Sequence, residues 1–348
     1  MDFTAQLLDW YAAHRRYLPW KEDADPYKIW VSEIILQQTR VAQGLDYYNR
    51  FTARFPTVQL LAEATEDHVL KQWQGLGYYS RARNLHRTAR EIVARYDGEF
   101  PETRDELLQL KGIGPYTASA IASFAFNASV AALDGNGYRI LSRFFEVDLS
   151  PQTAAGKKAF EQLAQALLPP EQSARFNQAL MDFGSLVCLP KPLCNECPLQ
   201  CACLGYLHHT AEHLPTGRVK IAPRLRYFNY LHFTDGPYTY IHKREAGDIW
   251  QGLYEFPLIE SDRALNQEEL IDTPEFREMT GDALFVLSGT RRLKPHKLSH
   301  QTLYACVVEI SLPCSGTKLA EKYLKIPIQD FPKFAVPRLI EKYQPTEY

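Results

Sequence analysis

The sequence predicts two domains, an all-α domain followed by an α+β domain, from three observations. The chain has 348 residues, which is more than one typical hydrophobic core supports. Residues 1–200 carry apolar side chains at helical spacing and no alternating strand pattern. Beyond about residue 226, strand-like runs are interspersed with helical segments. We therefore expect domains at 1–204 and 226–348, joined by a polar, proline-containing linker at 205–225.

The helices of the first domain follow from capping residues and periodicity. Asp25 is placed to cap a helix whose first position is Pro26, and apolar residues continue at helical spacing through Phe51. The same reasoning predicts helices at 57–73, 80–96, 103–110, 115–126, 137–146, 153–168 and 173–187.

The second domain combines strands and helices. The turn "TDGP" separates strand-like runs at 227–233 and 238–245. Further strands are expected within 284–293, 300–312 and 322–328, and helices within 266–276 and 337–343.

The overall composition is typical of a globular protein. Hydrophobic residues make up 45% of the chain and charged residues 23%, as in ordinary globular proteins. No apolar run is long enough to cross a bilayer, and the start "MDFTAQLLDWYAAHRR" lacks the features of a secretory signal. We expect a cytoplasmic protein without membrane contact. The net charge of −2 argues neither for nor against nucleic acid.

Five of the seven cysteines lie between residues 188 and 203. The pattern C-x5-C-x2-C-x5-C is formed by Cys188, Cys194, Cys197 and Cys203. Four thiolates crowded into one loop favour an iron–sulfur cluster. Zinc is the main alternative, although only one C-x2-C knuckle is present, and disulfides are rare in a reducing compartment. Cys201 is a local alternative to Cys203, whereas Cys306 and Cys314 are expected to be buried or incidental thiols.

Two glycines mark a tight turn between helices in "LLQLKGIGPYTASAIASFAF", residues 107–126. Such a hairpin needs a positive φ angle at one or more positions, which Gly112 or Gly114 can supply at low cost. The N–H groups at the start of the following helix could then hold a phosphate. The alternative is an ordinary helix–helix turn.

Two carboxylates stand out from the helical pattern. Asp134 follows an apolar run and precedes a helix, so an N-cap role is expected. Glu33 lies in the apolar segment "IWVSEIILQQ". If it is partly desolvated there, its pKa rises and it can donate a proton near neutrality. The alternative is a solvated glutamate on a helix face.

The order of glycine hairpin, aspartate and four-cysteine loop resembles the helix-hairpin-helix DNA glycosylase superfamily with an iron–sulfur loop. The segments "VSEIILQQTRV", "GLGYYSRARNLH", "LDGNGYRILSR" and "FNQALMDFGSLVC" are similar to one family within it. That family is the MutY family of adenine glycosylases, which remove adenine mispaired with 8-oxoguanine. The resemblance covers almost the whole chain.

The resemblance implies roles for the residues of the first domain. Glu33 would protonate N7 of the extruded adenine, and Asp134 would stabilise the oxocarbenium-like sugar, with Asn136 beside it. This division of labour is chemically sound, because cleavage of a glycosidic bond needs one neutral and one ionised carboxyl. Tyr116 stands where endonuclease III carries its Schiff-base lysine, so a monofunctional enzyme is expected.

Further implied roles concern DNA and the cofactor. Gln38 and Tyr78 would insert into the DNA stack around the lesion, with Gly112 and Gly114 at the hairpin, and Trp20 and Gln178 would line the adenine pocket. The four spaced cysteines would hold a 4Fe–4S cluster. A monovalent or divalent cation at the hairpin is also expected. The first cysteine gap is one residue shorter than in well-known family members.

The second domain is similar to a Nudix domain at "DIWQGLYEFPLIE", residues 248–260. The acidic helix of a Nudix hydrolase does not follow, so its Mg²⁺ ligands would be lacking. The resemblance is to the lesion-recognition domain of the same family. In "HKLSHQTL", Ser299 and His300 would face the oxidised guanine, and Leu298 stands where many relatives have Phe.

Two other functions remain open at this point. An endonuclease III-like glycosylase with lyase activity is the nearest enzyme alternative, and a non-catalytic iron–sulfur DNA-binding protein is the other. The expected partner is double-stranded DNA with adenine opposite 8-oxoguanine, bound by a monomer.

Overall fold

The computed structural model describes residues 2–217, 222–313 and 318–343. The chain forms two compact units, Met1–Glu63 with Asn84–Val219, and Ala64–Arg83 with Lys220–Tyr348. The two-domain boundaries predicted from the sequence place 64–83 in the first domain, whereas these residues cluster with the second unit. Linker residues 218–221 and Cys314 lie outside the described residues.

The part of the chain before the linker is helical. Its helices are α1 (Phe3–His14), α2 (Pro26–Leu36), α3 (Val41–Arg54), α4 (Val58–Glu63), α5 (Glu66–Trp73), α6 (Ser80–Tyr96), α7 (Arg104–Leu107), α8 (Pro115–Phe126), α9 (Gly135–Phe144), α10 (Ala154–Leu167), α11 (Ser173–Leu186) and α12 (Leu204–Leu207). Short 3-10 turns occur at Pro19–Lys21, Pro170–Gln172, Cys194–Glu196 and Gln200–Ala202.

Helix α2 occupies the centre of the first unit. Asp25 caps it by accepting hydrogen bonds from the backbone N–H groups of Tyr27 and Lys28, at 2.9 and 3.3 Å. Nearly all of its length is buried, and it packs against α8. Small side chains along α8, such as Ala118 and Ala122, are fully buried there. This close packing brings the start of α8 near the middle of α2.

A second apolar cluster in this unit joins α1, α9, α10 and α11. It includes Phe3, Leu141, Phe160 and Phe183, all of which are buried. Cys188, Cys197 and Cys203 pack against its edge. The start of α9 and the cysteine loop are therefore supported by the same core.

The second unit is built on a mixed sheet. Its elements after the linker are β1 (Arg224–Asp235), β2 (Tyr238–Lys243), β3 (Tyr254–Glu255), β4 (Leu258–Ser261), α13 (Gln267–Ile271), α14 (Pro274–Thr280), β5 (Val286–Arg292), β6 (His296–Lys297), β7 (Gln301–Ser311), α15 (Leu319–Lys322), β8 (Leu324–Pro327), a 3-10 segment (Ile328–Lys333) and α16 (Arg338–Glu341).

Strand β1 is the centre of this sheet. It pairs in parallel with β7 and antiparallel with β2 and β4, while β5 and β6 pair with β7, and β3 and β8 with β2. Alternate residues face opposite sides, as the pleat requires. Phe228 and Tyr230 join one apolar cluster, which includes α16, and Leu231 and Phe233 join the other, which includes α14 and α15. The sheet thus lies between two helical layers.

The segment Ala64–Arg83 is tied to the second unit by hydrogen bonds. Lys71 Nζ donates to the carbonyl of Phe334 at 2.9 Å. Arg83 donates to the backbone and side-chain oxygens of Gln251, at 2.6 and 3.1 Å. These bonds explain why a segment embedded in the helical sequence clusters with the sheet.

Among the described residues, no helix is both long and apolar enough to cross a membrane.

Candidate active site

Glu33 is a buried acid in the middle of α2. Its exposed fraction is 8%. Burial raises the pKa of its carboxyl to about 7, although a hydrogen bond from Tyr116 and the charge of Lys21 act in the opposite direction. The structure therefore contradicts the alternative of a solvated helix-face glutamate. Near neutrality a large fraction of Glu33 carries its proton.

Asp134 is the N-cap of α9, as its position in the sequence predicts. Its Oδ1 accepts from the backbone N–H groups of Asn136 and Gly137, at 2.9 and 2.8 Å. Its Oδ2 accepts from Asn136 Nδ2 at 2.7 Å. Burial raises the pKa of Asp134, while these donors and Arg139 oppose the rise. Donors of this kind favour the ionised carboxylate.

Tyr116 connects the two carboxylates. Its hydroxyl donates to Glu33 Oε2 at 2.6 Å. Burial raises the pKa of Tyr116 well above its ordinary value, and the charges of Glu33 and Asp134 add to that rise. Because both carboxylates act on this one phenol, the three side chains share a single pocket. The structure thus brings together the three residues predicted from separate motifs.

Asn136 is positioned by Arg139 and by close contact with Gly184. Arg139 Nη2 donates to Asn136 Oδ1 and to the carbonyl of Gly184, each at 2.7 Å, and Arg139 Nε donates to the carbonyl of Cys188 at 2.8 Å. A Cβ atom on Gly184 would lie only 2.4 Å from Asn136 Cβ. Gly184 is therefore required for Asn136 to reach Asp134. Arg139 and Gly184 were not predicted from the sequence.

The predicted adenine-pocket residues lie beside a polar network. Trp20 is buried at 7% exposure, and Gln178 Oε1 accepts a hydrogen bond from Tyr11 Oη at 2.7 Å. Asp182 follows one helical turn later on α11 and binds Lys21 Nζ at 2.8 Å. Sequence reasoning missed these partners. The available signal was a carboxylate that interrupts the buried apolar face of α11.

One of the two hairpin glycines has the positive φ angle that the sequence predicts. Gly112 has φ 93°, which favours glycine, and a Cβ atom there would lie 2.9 Å from Asn84 Cβ. Gly114 instead caps α8 with φ −89°, so the hairpin has the predicted positive φ at one of its two glycines. No atom lies within 4 Å of where a Gly114 Cβ would be. The start of α8 is therefore open to an approaching group.

The two predicted wedge residues share an unusual backbone conformation. Gln38, in the first unit, has φ 58°, and Tyr78, in the second, has φ 48°. Residues other than glycine adopt this region uncommonly, and Asn127 at the end of α8 is another that does so. Both are exposed, Tyr78 by 47%.

The predicted lesion loop is the turn between β6 and β7 in the second unit. Ser299 and His300 are exposed, while Leu298 is half-buried against the apolar core. The Leu298 N–H donates to the Gln301 carbonyl at 2.8 Å, which closes the turn. Tyr78 Oη and Ser299 Oγ are 2.5 Å apart. The structure thus pairs two residues that were predicted separately.

The four predicted cluster cysteines lie within electrostatic range of one another. Burial raises the pKa of Cys197 to about 12, with further contributions from Cys188, Cys203 and Cys194. Cys201 is exposed and is not among these interacting thiols. The arrangement fits the predicted set of four. The Cys306 thiol, in contrast, donates to Asn229 Oδ1 at 3.2 Å in the second unit.

Arg143 organises the cysteine loop from the buried face of α9. Its guanidinium donates to the carbonyls of Leu189 and Pro190 at 2.6 and 2.9 Å, and Nη1 lies 3.5 Å from Cys188 Sγ. Cys203 Sγ donates to the Arg143 carbonyl at 3.5 Å. Arg143 is only 3% exposed, and the sequence analysis did not identify it.

A zinc ion and a 4Fe–4S cluster place different demands on the four cysteines. In the described part of the chain, no three His, Cys, Asp or Glu side chains are placed to hold one metal ion. Tetrahedral zinc would draw four sulfurs to about 2.3 Å from one point. A 4Fe–4S cluster binds each thiolate through a different iron, so its ligands stand farther apart.

Comparison with known proteins matches family models in both parts of the chain. Residues 31–170 match the model of the HhH-GPD superfamily base excision DNA repair protein, and residues 230–344 match that of the NUDIX domain. The adenine DNA glycosylase of Buchnera aphidicola subsp. Baizongia pistaciae is 35% identical over 306 residues, which are 87% of this chain and 84% of that protein. The rat adenine DNA glycosylase is 41% identical over 231 residues, 64% of this chain and 44% of the rat protein.

Among solved structures, a thermostable thymine-DNA glycosylase is similar, with a TM-score of 0.55 and 30% identity over 59% of this chain and 95% of that one. The helical fold, the glycine hairpin and the buried carboxyl pair define a base-excision DNA glycosylase of the helix-hairpin-helix superfamily. The match along most of the Buchnera protein is more specific. The chain belongs to the adenine DNA glycosylase family.

Proposed function

We propose that the protein hydrolyses the N-glycosidic bond of adenine paired with 8-oxoguanine in duplex DNA, without cutting the strand. One observation carries this proposal: Glu33 and Asp134 are both buried around Tyr116 but are hydrogen-bonded differently, since Glu33 accepts from Tyr116 whereas Asp134 accepts three hydrogen bonds from Asn136 and Gly137. Adenine must be swung out of the duplex to reach such a pocket.

Glu33 acts on the leaving base. Its carboxyl, protonated near pH 7, donates its proton to adenine N7. The electrons of the C1′–N9 bond then pass to a base that leaves without net negative charge. Tyr116, which donates to Glu33 Oε2, holds the carboxyl in position during this transfer.

Asp134 acts on the sugar. Its carboxylate is oriented by Asn136 and by the first N–H groups of α9, and it offers negative charge to the developing oxocarbenium ion. Water adds to C1′ and gives up one proton, which the ionised Glu33 accepts. This step restores the protonated acid for the next cycle.

The residue at the hairpin position supports a monofunctional reaction. Tyr116 takes the position expected for a Schiff-base lysine. Lys21 lies in the same pocket, but its ammonium is paired with Asp182 at 2.8 Å. Formation of an imine with C1′ would need a neutral amine.

The second unit would read the base opposite adenine. The N7–H group of 8-oxoguanine is a donor, whereas N7 of guanine is an acceptor. The Ser299 hydroxyl can accept this hydrogen while Tyr78 stays bonded to it, since a hydroxyl oxygen has two lone pairs. Gln38 and Tyr78 would fill the stack that adenine leaves.

Cys188, Cys194, Cys197 and Cys203 would hold a 4Fe–4S cluster. When bound, the cluster would tie together the loop that Arg139 and Arg143 contact through backbone carbonyls. Iron and sulfide analysis after anaerobic purification tests this assignment. Stoichiometric zinc without sulfide would contradict it.

The activity is tested with labelled duplexes that carry adenine opposite 8-oxoguanine or guanine, followed by alkali. We expect strand breaks only after alkali, and Glu33→Gln and Asp134→Asn should abolish them while duplex binding persists. Borohydride trapping at the level of base release would favour the glycosylase/lyase alternative. Wild-type single-turnover rates in Glu33→Gln would overturn the assigned acid.

A further inference from the structure

A buried ion cluster lies next to the catalytic pocket and has no part in the reaction described above. Asp182 on α11 is fully buried. Its Oδ1 accepts from Arg16 Nε and pairs with Nη2, at 2.7 and 2.6 Å. Its Oδ2 accepts from the Arg16 backbone N–H at 3.1 Å and from Lys21 Nζ at 2.8 Å. Two cations thus share one carboxylate.

The cluster is electrostatically connected to the acid. The groups that act on Glu33 are Tyr116 from α8, Asp134 at the start of α9 and Lys21 from the Pro19–Lys21 turn. Lys21 is the only cation among them, and its side chain is 10% exposed. A cation beside Glu33 stabilises the carboxylate form and thereby opposes the protonated form that the reaction needs.

Asp182 is suited to limit that effect. Without its charge, Arg16 and Lys21 would present two uncompensated positive charges where screening by water is weak. With it, the cluster carries a single net positive charge. Burial lowers the pKa of Lys21 while Asp182 raises it, so the carboxylate also keeps the lysine an ammonium ion.

We propose that Asp182 is a positioning and charge-compensating residue for the catalytic acid. Its carboxylate holds Arg16 and Lys21 at the wall of the pocket and cancels part of their charge, so that Glu33 keeps its proton at neutral pH. This inference rests on the proposed function, since it assigns Asp182 a role in the same reaction.

A purely structural role for Asp182 makes a different prediction. Loss of packing would lower stability, or the rate at every pH by a similar factor. Charge compensation instead moves the pH at which the rate declines. The direction of the movement depends only on which charge is removed, so two opposite substitutions can be compared in one assay.

The experiment measures single-turnover adenine release from the 8-oxoguanine duplex between about pH 5.5 and pH 9. In Asp182→Asn, the alkaline decline should move to lower pH by about one unit. The rate would then fall about tenfold at pH 8.5 and less than about twofold at pH 5.5. In Lys21→Met, the decline should move to higher pH.

The double variant Lys21→Met/Asp182→Asn supplies the sharpest control. It leaves Arg16, which is not among the groups that act on Glu33, so the loss of Asp182 should have no further lowering effect and the decline should lie close to that of Lys21→Met. Asp23→Asn removes a carboxylate that binds Lys28 at 2.6 Å on the surface and should leave the profile unchanged. Melting curves and duplex binding identify any variant that fails to fold. If Asp182→Asn fails to fold, Lys21→Met still tests the proposal.

The outcomes separate this inference from the proposed function. A wild-type protein that releases no adenine, or that shows no alkaline decline, overturns both. A wild-type decline that stays fixed in folded Lys21→Met and Asp182→Asn overturns only the role of Asp182. Opposite movements in the two single variants, with the double variant close to Lys21→Met, support it.

Discussion

Glu33 illustrates how one side chain can serve catalysis at the expense of stability. Its carboxyl lies in an apolar helix with an exposed fraction of 8%, and burial raises its pKa from an ordinary 4.5 to about 7. The folded protein therefore binds a proton that the unfolded chain releases between these pH values. Stability contributed by this group falls as the pH rises through that range, because the charged form must be kept in a poorly solvated place.

We predict that Glu33→Gln stabilises the protein at alkaline pH. Glutamine cannot ionise and can still accept the hydrogen bond from Tyr116. The gain should be about 3 kcal/mol at pH 8.5 and should vanish towards pH 4.5. Denaturant unfolding across pH measures it, with Glu22→Gln, an exposed position, as the control. An equal gain at both pH values would show that the buried charge is not its source.

At the scale of elements, the catalytic pocket depends on helix starts and on one close helix contact. Asp134 is the N-cap of α9 and the group proposed to act on the sugar, so the start of α9 fixes its direction. Helix α11 approaches closely enough that Gly184 lies against Asn136. The geometry of the pocket is therefore set by where helices begin and how near they pass.

We predict that Gly184→Ala lowers the rate of adenine release by about tenfold or more, because its methyl group would push Asn136 away from Asp134. Gly135→Ala is a matched control, since no atom lies within 4 Å of its added Cβ. Single-turnover kinetics of both variants measure the effect. Equal rates in the two variants would mean that α11 can retreat without disturbing the site.

Another prediction at the scale of elements concerns which cysteines of the loop bind the cluster. Cys201→Ser should retain the iron and sulfide content of the wild type, because Cys201 is exposed and outside the interacting thiols. Cys203→Ser should lose the cluster, since each thiolate binds its own iron. Elemental analysis of the two purified variants decides the matter. The reverse result would exchange the roles of the two cysteines.

Local signals predicted most elements and the main catalytic residues. Asp25 and Pro26 fixed the start of α2, and Glu33 and Asp134 were identified from their immediate neighbours. The helix expected at 57–73 is divided because Thr65 caps a new helix, accepting from His68 N–H. Arg139, Arg143 and Asp182 were missed because their partners, apart from Gly135 and Asn136 beside Arg139, lie from 45 to 166 residues away in the chain, and such distant pairings leave no local pattern.

At the scale of the whole molecule, the second unit supplies the residues expected to read the opposite base. The β6–β7 turn joins two strands of its sheet. The segment that carries Tyr78 also belongs to this unit. The sequence indicated the turn and Tyr78 but not their contact, since the two are separated by 221 positions.

We predict that Ser299→Ala reduces the preference for 8-oxoguanine over guanine opposite adenine by about tenfold, because the hydroxyl acceptor for N7–H is lost. The rate on the guanine duplex should change little. Ser288→Ala, whose hydroxyl pairs with Ser311 elsewhere in the unit, is the control. The ratio of single-turnover rates on the two duplexes measures the preference, and an unchanged ratio would remove Ser299 from lesion reading.

The segment Ala64–Arg83 limits how this protein can be taken apart. A nick or truncation within 205–225 would leave Lys71 and Arg83 on the amino-terminal fragment and remove the oxygens of Phe334 and Gln251 that they bind. A minimal catalyst made from the helical half would therefore need these twenty residues to be redesigned. They precede the linker in the sequence but pack with residues that follow it.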